Sequence, residues 1–504
     1  MRTTGSKAAP LGLAIDASSS EPLHRQIGAE LRRAILERRL TTGIRLPSSR
    51  LMAVELGCAR GTVLLALEQL IAEGYVVTRP GSGMTVAADL PDEMLASPAA
   101  AVPRHAVQPA GSILSQRAAA LLRGWSVPAD IARAGPDAAF RMGQPDRDAF
   151  PFSLWAKLLE AEWRRPSWSV AGSPHPFGHA GLRGAIAAHL GVVRGFRCDP
   201  SAVVVTSGVR QSVTLLARLL LDPGDEAWME EPGFSGIRQA LAAAAVRPVP
   251  VPIDEAGFAP ERAQAVAPHA RLAVVAPAHQ FPLGAVLTLQ RRLELLGWAE
   301  RTGRWIVEDD YDGEYRYAGR PLAPLRALDR SGRVAFVGSF SKLLFPALRL
   351  SYLVLPEALA GPAAALMDAN PGDASLLGQG ALAAFIAEGH FAAHLRRTRR
   401  LYAERQAALV EAAGRHLAGM LDVASDPGGM HLVARPHPSV AGRFNDKTVV
   451  GAAAPAQLAL SPLSACYALE TTAQGLLLGY AGTPAPSIEA AVRRLKRIIA
   501  DTLA

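Results

Sequence analysis

Cysteine is scarce in this sequence: three residues, Cys58, Cys198 and Cys466, in a chain of 504. They lie far apart and form no C-x-x-C pair, so neither a disulfide scaffold nor a thiolate zinc site is expected, and no metal is assigned. Long apolar runs are missing as well. None approaches the roughly 18 residues of a membrane span, and the opening MRTTGSKAAP has no apolar secretory core. A soluble, cytoplasmic protein without a membrane partner is therefore expected. Gly (45) and Pro (38) show no three-residue period, which excludes collagen, and there are no internal repeats. At 49% hydrophobic and 19% charged the composition is ordinary globular usage, which excludes wholesale disorder. The length predicts two to four domains at roughly 100–200 residues each.

The net charge of +8 is unevenly spread. Residues 1–88 carry 11 Lys/Arg, nearly all Arg, against 7 Asp/Glu, while the remainder holds 42 against 38. A dense arginine footprint of this kind suits nucleic-acid phosphates, although a solvated helix face would look the same.

The order of elements narrows that choice. In 22–39, Leu23, Ile27, Leu31, Ala34 and Ile35 recur at helical spacing with arginines on the other face. The turn TTGIRLPSS (41–49) follows, and Ser48 or Ser49 can cap a short helix over 50–56 that Gly57 ends. A further helix over about 59–73 aligns Val63, Leu67, Leu70 and Ile71. YVVTR (75–79), PGSG (80–83) and MTVA (84–87) then read as a β-hairpin. Helix, helix, tight turn, helix and hairpin make a winged helix-turn-helix, predicted over 1–87. Its third helix would enter the major groove, with Arg60 presenting a bidentate fork to guanine and Thr62 reaching a phosphate or thymine methyl. Arg45 and Arg50 suit phosphates, with Ser48 and Ser49 adding hydroxyl or backbone contacts. The small tip Gly81-Ser82-Gly83 would let the wing approach a minor groove.

The stretch PLHRQIGAELRRAIL…GIRLPSSRLMAVELGCARGTVLLALEQLIAEGYVVTRPGSG resembles the DNA-binding domain of GntR-type bacterial regulators across 22–87. Cys58-Ala59-Arg60 stands where that family usually has Val-Ser-Arg, which removes a capping hydroxyl. Gly61 in the first turn of the helix costs up to about 1 kcal/mol relative to Ala.

Residues 88–112, rich in Ala, Pro and Ser, read as a semi-stiff linker. From 113 onward, apolar runs such as AVVVTSG (202–208), RLAVVAPA (271–278), RWIVEDD (304–310) and RVAFVGSF (333–340) alternate with amphipathic helices. That pattern predicts an α/β domain over 113–504 with a mostly parallel sheet, and a smaller C-terminal subdomain from about 373.

One lysine stands out in the second domain. Lys342 follows a strand in Ser339-Phe340-Ser341-Lys342, with Arg349 seven residues on. A pyridoxal 5'-phosphate (PLP) site needs an amine for a Schiff base, donors for a dianionic phosphate, and a carboxylate opposite the pyridine nitrogen. Lys342 offers the amine, and Ser339, Ser341 and Arg349 offer phosphate donors. Asp309, ending RWIVED, offers the carboxylate, and Tyr311 can bond the ring 3-hydroxyl. Ser207-Gly208-Val209, at a strand-turn-helix junction, supplies backbone N–H groups to an anion. Phe234 in EEPGF is suited to stack on the ring, and His279 and Gln280 in APAHQFPLG lie near its polar edge. Each residue alone has a bland alternative, but their order, each at a strand end, favours the cofactor.

PFGHAGLRGAI, TSGVRQSV, EEPGF, PAHQFPLG, EDDYDGEYRY and VGSFSKLLFPALRL resemble the aminotransferase-like domain of MocR-type regulators, a GntR subfamily with fold-type I PLP architecture. The resemblance spans 113–504. It implies that Lys342 is the internal aldimine lysine, Asp309 the pyridinium partner, Tyr311 the 3-hydroxyl partner and Phe234 the stacking aromatic, with Ser339, Ser341 and Arg349 at the phosphate. Three features depart from it. Arg210 stands where Gln is common, Phe234 replaces Tyr, and GLLLGYAG (475–482) lacks the arginine that holds a substrate carboxylate. Arg238 and the run HLRRTRRLYAERQ (394–406) are possible substitutes.

The combination implies a regulator of double-stranded operator DNA in which PLP or an amine bound at Lys342 alters DNA binding, with vitamin B6 or amine and amino-acid metabolism as the expected field; the resemblance implies that it is a homodimer. The opposing reading is an active aminotransferase with a DNA-binding appendage. A third, a cofactor-free relic, conflicts with the intact lysine and carboxylate.

Overall fold

The computed structural model describes residues 21–79, 83–90, 134–164, 175–319, 323–369 and 374–504, with single positions before 21 and between 114 and 118. The chain divides into two compact units, Met1–Ala110 and Gly111–Ala504. Among the described residues no helix is long and apolar enough to cross a membrane.

The first unit builds α1 (Leu23–Leu36), α2 (Ser49–Glu55) and α3 (Arg60–Ala72), then the hairpin β1 (Val76–Arg79) and β2 (Gly83–Val86), in the predicted order. α1 buries Ile27, Leu31, Ala34 and Ile35 against Val63, Ala66, Leu67 and Leu70 of α3. It stops three residues short of the sequence expectation, where Arg38 takes a left-handed φ of 58° and turns the chain. Ser48 caps α2, its hydroxyl accepting the Leu51 N–H at 3.3 Å, whereas Ala59 gives α3 no side-chain cap. The antiparallel register pairs Val76 with Val86. Leu90, expected to lie in the linker, is 3% exposed and packs on this core, so the first unit reaches at least that far. The rest of the predicted linker, 91–112, lies outside the described residues.

The second unit centres on a seven-stranded sheet in the order β3-β9-β8-β7-β6-β4-β5. The strands are β3 (Val203–Thr206), β4 (Glu226–Glu231), β5 (Arg247–Pro252), β6 (Leu272–Val275), β7 (Trp305–Asp310), β8 (Val334–Ser339) and β9 (Ser351–Val354). β4 to β8 are mutually parallel, and β9 runs antiparallel between β8 and β3. β3, β6 and β9 are buried at every residue, as a sheet covered by helices on both faces requires. β5 reads RPVPVP and escaped the sequence reading because of its prolines. At the sheet edge, the N–H groups that those prolines lack are not needed by a further strand.

A second sheet, antiparallel in the order β10-β11-β13-β12, contains β10 (Leu421–Val423), β11 (His431–Pro436), β12 (Ser461–Pro462) and β13 (Leu476–Gly479). The helix His390–His416 leads into it and contains the basic run 394–406. Its Phe391, His394, Leu395, Thr398, Tyr402, Arg405, Leu409 and Ala412 are buried at helical spacing, so one face of the run belongs to the core.

Candidate functional site

The parallel strands deliver the predicted residues to one place. Ser207 and Gly208 follow β3, Phe234 follows β4, His279 follows β6, Asp309 is the penultimate residue of β7 and Lys342 follows β8. β3 and β8 both oppose β9, so all five positions share the carboxyl edge of the sheet, where open α/β sheets bind ligands.

Lys342 and Asp309 face one another electrostatically. Burial draws the lysine ammonium below its usual range, with Asp312 and Asp309 partly opposing that shift. The Asp309 carboxyl is pushed up to about 7 by burial, with Lys342 pulling it down and Asp312 adding to the rise. Neither side chain has a hydrogen bond or ion pair among the described residues, and the nearest ring to the amine is Tyr311, whose centroid lies 5.6 Å from Nζ. A half-buried base and a buried acid, neither with a direct partner among the described residues, are costly unless a ligand completes them. Burial and the surrounding carboxylates of Asp312, Asp309, Asp426 and Glu230 push the Tyr311 phenol well above its ordinary value, so it is a proton donor.

His279 contacts Tyr311 through Nδ1, 3.1 Å from the phenol oxygen. Gln280 does something else. Its amide donates to Pro232 O at 2.7 Å and to Phe281 O, and its oxygen accepts the Leu283 N–H at 3.2 Å. It braces the loop between β6 and the following helix. Glu230, beside it, is pushed up to about 8 by burial, with the neighbouring Asp309 adding to the rise.

On the opposite flank, Gly208 has a φ of 149° that favours glycine, and opens the helix Val209–Leu220 without a side-chain cap. Its first-turn N–H groups are oriented for an anion. Gln211 Oε1 accepts the Ser207 N–H at 2.6 Å and fixes the turn. Ser339 ends β8, and the Ser341 hydroxyl donates to Leu350 O at 3.3 Å. Arg349 is exposed and left-handed, with a φ of 47°. Phe234 meets Phe281 edge-on at 6.0 Å, and the Arg210 guanidinium lies 5.7 Å from its ring centre.

Three of the arginines in the run 394–406 are engaged elsewhere. Arg405 pairs with Asp146 and Ala481 O, Arg399 with Glu314 O at 2.8 Å, and Arg397 with Ala149 O. β13 presents Leu476, Leu477 and Leu478, all fully buried.

Sequence reasoning missed Gly143, Asp312, Asp426 and Glu230. Asp312 was visible in the acid-rich EDDYD, and Asp426 in the turn signal DPGG. Gly143 in MGQPD gives no signal until its distance from Lys342 is known.

In the first unit, Arg60 opens α3 and is exposed, its Nε donating to Ser49 Oγ at 3.2 Å. Thr62 lies two residues along the helix, half-buried, and Arg50 is exposed on α2. Arg45 bridges Thr85 of the wing, and its guanidinium lies where a Gly83 side chain would be, 3.2 Å from a β-carbon built there. Arg45 is therefore positioned by the hairpin as well as by the turn before α2. Gly81 and Ser82 lie outside the described residues.

Two family models match the chain: aminotransferase class I and II over residues 147–495, and bacterial regulatory proteins of the gntR family over residues 23–86. The probable rhizopine catabolism regulatory protein MocR of Rhizobium meliloti is 40% identical over 96% of this chain and 95% of its own length. The chain belongs to the MocR-type gntR regulators. It is a DNA-binding regulator whose second unit has the aminotransferase class I and II fold. The pyridoxine biosynthesis regulator PdxR of Corynebacterium glutamicum is 32% identical over 81% of this chain and 82% of its own. Among solved structures, an archaeal alanine:glyoxylate aminotransferase shares the fold with a TM-score of 0.70 at 21% identity, covering 78% of this chain and all of that one. The α-aminoadipate aminotransferase LysN of Thermus thermophilus, complexed with N-(5'-phosphopyridoxyl)-L-leucine, gives 0.65 at 27%, covering 78% of this chain and 97% of that one.

Proposed function

We propose that this regulator holds PLP at the carboxyl edge of its large sheet, and that PLP, or an amine captured by it, changes operator binding. The supporting observation is the unpartnered pair of Lys342 and Asp309 beside Tyr311. The residues fit the cofactor. Lys342 offers the amine, Asp309 a carboxylate that a cationic ring nitrogen would return to its ionised form, and Tyr311 a phenolic donor. The Gly208 helix start, with Ser207, Val209, Ser339, Ser341 and Arg349, would take the phosphate, and Phe234 would cover the ring. His279 and Gln280 hold the loop on its polar side. Bound PLP supplies an aldehyde that condenses with primary amines and a ring that withdraws electrons from them.

Regulation then follows from linkage. A ligand that fits one arrangement of the regulator better than another shifts the population toward it, and DNA affinity moves with that population. The regulator acts as a homodimer whose two heads read paired half-sites, with Arg60 and Thr62 at bases and Arg45, Ser48, Ser49, Arg50 and the wing tip Gly81-Ser82-Gly83 at the backbone. The names of the relatives, one in rhizopine catabolism and one in pyridoxine biosynthesis, fit an amine or PLP as effector. The fully buried leucines of β13 provide no cation for a substrate carboxylate, which favours the regulator over the aminotransferase reading.

The test is the visible spectrum of purified protein loaded with PLP, before and after borohydride, with operator binding titrated in parallel. A borohydride-sensitive band, a reduced adduct on the peptide containing Lys342, their loss in Lys342→Ala, and operator affinity that changes with PLP are expected. Absence of the band after loading would sink the proposal. A band without any change in DNA affinity, with PLP or with amines, would leave the cofactor and remove the sensor.

A further inference from the structure

His279 joins three segments of the second unit. Its Nδ1 lies 3.1 Å from the Tyr311 hydroxyl and 3.1 Å from Asp312 Oδ2, both on the exit loop of β7. Its Nε2 lies at ion-pair distance, 3.3 Å, from Asp426 Oδ1 on the connection from β10 to β11 in the small sheet, without a formed hydrogen bond. That connection is fastened to the segment behind Tyr311. Tyr317 N–H donates to Pro427 O at 2.8 Å, Gly429 N–H donates to Tyr315 O at 2.8 Å, and Asp426 Oδ1 accepts the Gly428 N–H at 2.9 Å. Gly284 and Gly429 make room for the arrangement, since a β-carbon on either would collide with Asp426 or with the His279 ring.

We propose that His279 is a positioning residue for Tyr311: held between Asp312 and Asp426, its ring shares the single Nδ1–H between Asp312 Oδ2 and the phenol oxygen, and so turns the phenol hydrogen toward the space before Lys342 and Asp309. The inference rests on the PLP reading of that space. Ionised carboxylates only accept hydrogen bonds, so a ring flanked by one at each nitrogen is satisfied when both nitrogens carry hydrogen. A neutral tautomer would aim a lone pair at Asp312 or at Asp426.

The other charges around the ring agree. Burial alone would lower His279, but Asp312 and Asp426 push it up to about 10. His431, on β11 with its ring 6.0 Å away, is held down to about 4 by burial and by the His279 charge. Its Nε2 donates to Pro282 O at 3.0 Å, which suits a neutral ring. Arg194 and Arg316 line the same cavity as His279 and Asp312, and Arg194 is paired with Asp310. With His279 donating, the phenol oxygen accepts on that side and has its single O–H left for the ring oxygen of the cofactor. Donation there stabilises negative charge on that oxygen, so the loaded site releases its proton at a lower pH.

The experiment follows the pH midpoint of the visible band in PLP-loaded full-length protein. Wild type is compared with His279→Asn, Asp426→Asn, Tyr311→Phe and the double variant His279→Asn with Tyr311→Phe. His279→Asn and Tyr311→Phe are each expected to raise the midpoint by about one pH unit, and Asp426→Asn by less. In the Tyr311→Phe background, His279→Asn is expected to add nothing. No shift in His279→Asn, or a full shift that persists without the phenol, overturns the proposal.

A second readout needs no cofactor. In protein labelled with 15N-histidine, the resonance missing from His279→Asn should be an imidazolium at pH 8, and should titrate lower in Asp426→Asn. Titration near the usual 6.5 in wild type would overturn the assignment. If PLP never binds, the PLP reading fails by itself while this second measurement still decides where the proton sits.

Discussion

Gly143 stands directly against the amine of Lys342: a β-carbon at that glycine would lie 2.5 Å from Nζ. Its φ of 61° also disfavours any other residue. Gly143→Ala is therefore expected to displace the lysine while sparing the first unit. PLP affinity, measured by fluorescence titration, should fall at least tenfold, an effect of about 1.4 kcal/mol or more. Unchanged affinity would mean that Lys342 points elsewhere when the site is filled.

Asp309 makes the stability of cofactor-free protein depend on pH. Its folded carboxyl titrates near about 7, above the unfolded range, so the folded state keeps a proton that the unfolded chain releases. Stability from this group is complete below about pH 4 and is lost as pH rises through about 7. Asp309→Asn removes the charged form. It should stabilise the cofactor-free protein by ~1–3 kcal/mol at pH 8 in urea unfolding, with a smaller gain at pH 5. The same variant should bind PLP more weakly, so the order of stabilities reverses once cofactor is present.

Arg405 and Asp146 form a buried pair that anchors the helix His390–His416 to the loop before the helix Phe152–Arg164. Arg405 also donates to Ala481 O, and the Tyr402 hydroxyl accepts the Asp146 N–H at 2.9 Å. Removing one partner strands the other charge. Asp146→Ala should cost about 3–5 kcal/mol of unfolding free energy, whereas exposed Arg415→Ala should change it by less than about 1 kcal/mol. Equal effects would show that the buried pair is hydrated.

The proposed DNA contacts separate into two kinds. Arg60→Ala should cost about 1–3 kcal/mol on the preferred operator and flatten the difference between base sequences. Arg45→Ala should weaken all duplexes alike and reduce the salt slope by about one. A footprint and a salt titration on both variants distinguish these outcomes.

The site was legible in the sequence wherever one strand end sufficed to define it. Lys342, Asp309, Phe234 and Ser207 each follow a β-branched or apolar run, and parallel pairing brings such ends to one edge. What stayed hidden needs a second segment. Asp426 meets His279 across a large separation in sequence, and no local pattern encodes that approach. Gln280 has the chemistry of a ligand contact, and only the position of the Pro232 carbonyl shows that its amide holds the loop together. In the first unit almost everything is local, so its element order was legible, apart from where α1 ends and where the linker begins. β5 was lost because prolines argue against a strand unless its edge position is known.

If Arg60 reads a base edge as proposed, its 3.2 Å hydrogen bond to Ser49 bears on how the operator is read. A free arginine gives up much rotational freedom when it settles on a base edge, and that loss is subtracted from affinity. Here the guanidinium is already moored on the neighbouring helix, so part of that freedom is surrendered in the free regulator. The base edge must then outbid one hydroxyl with two acceptors. Guanine can do this through O6 and N7, while adenine, with a single acceptor beside a donor, cannot. On that reading the serine would work as a threshold: it would raise the standard a base has to meet before the arginine lets go.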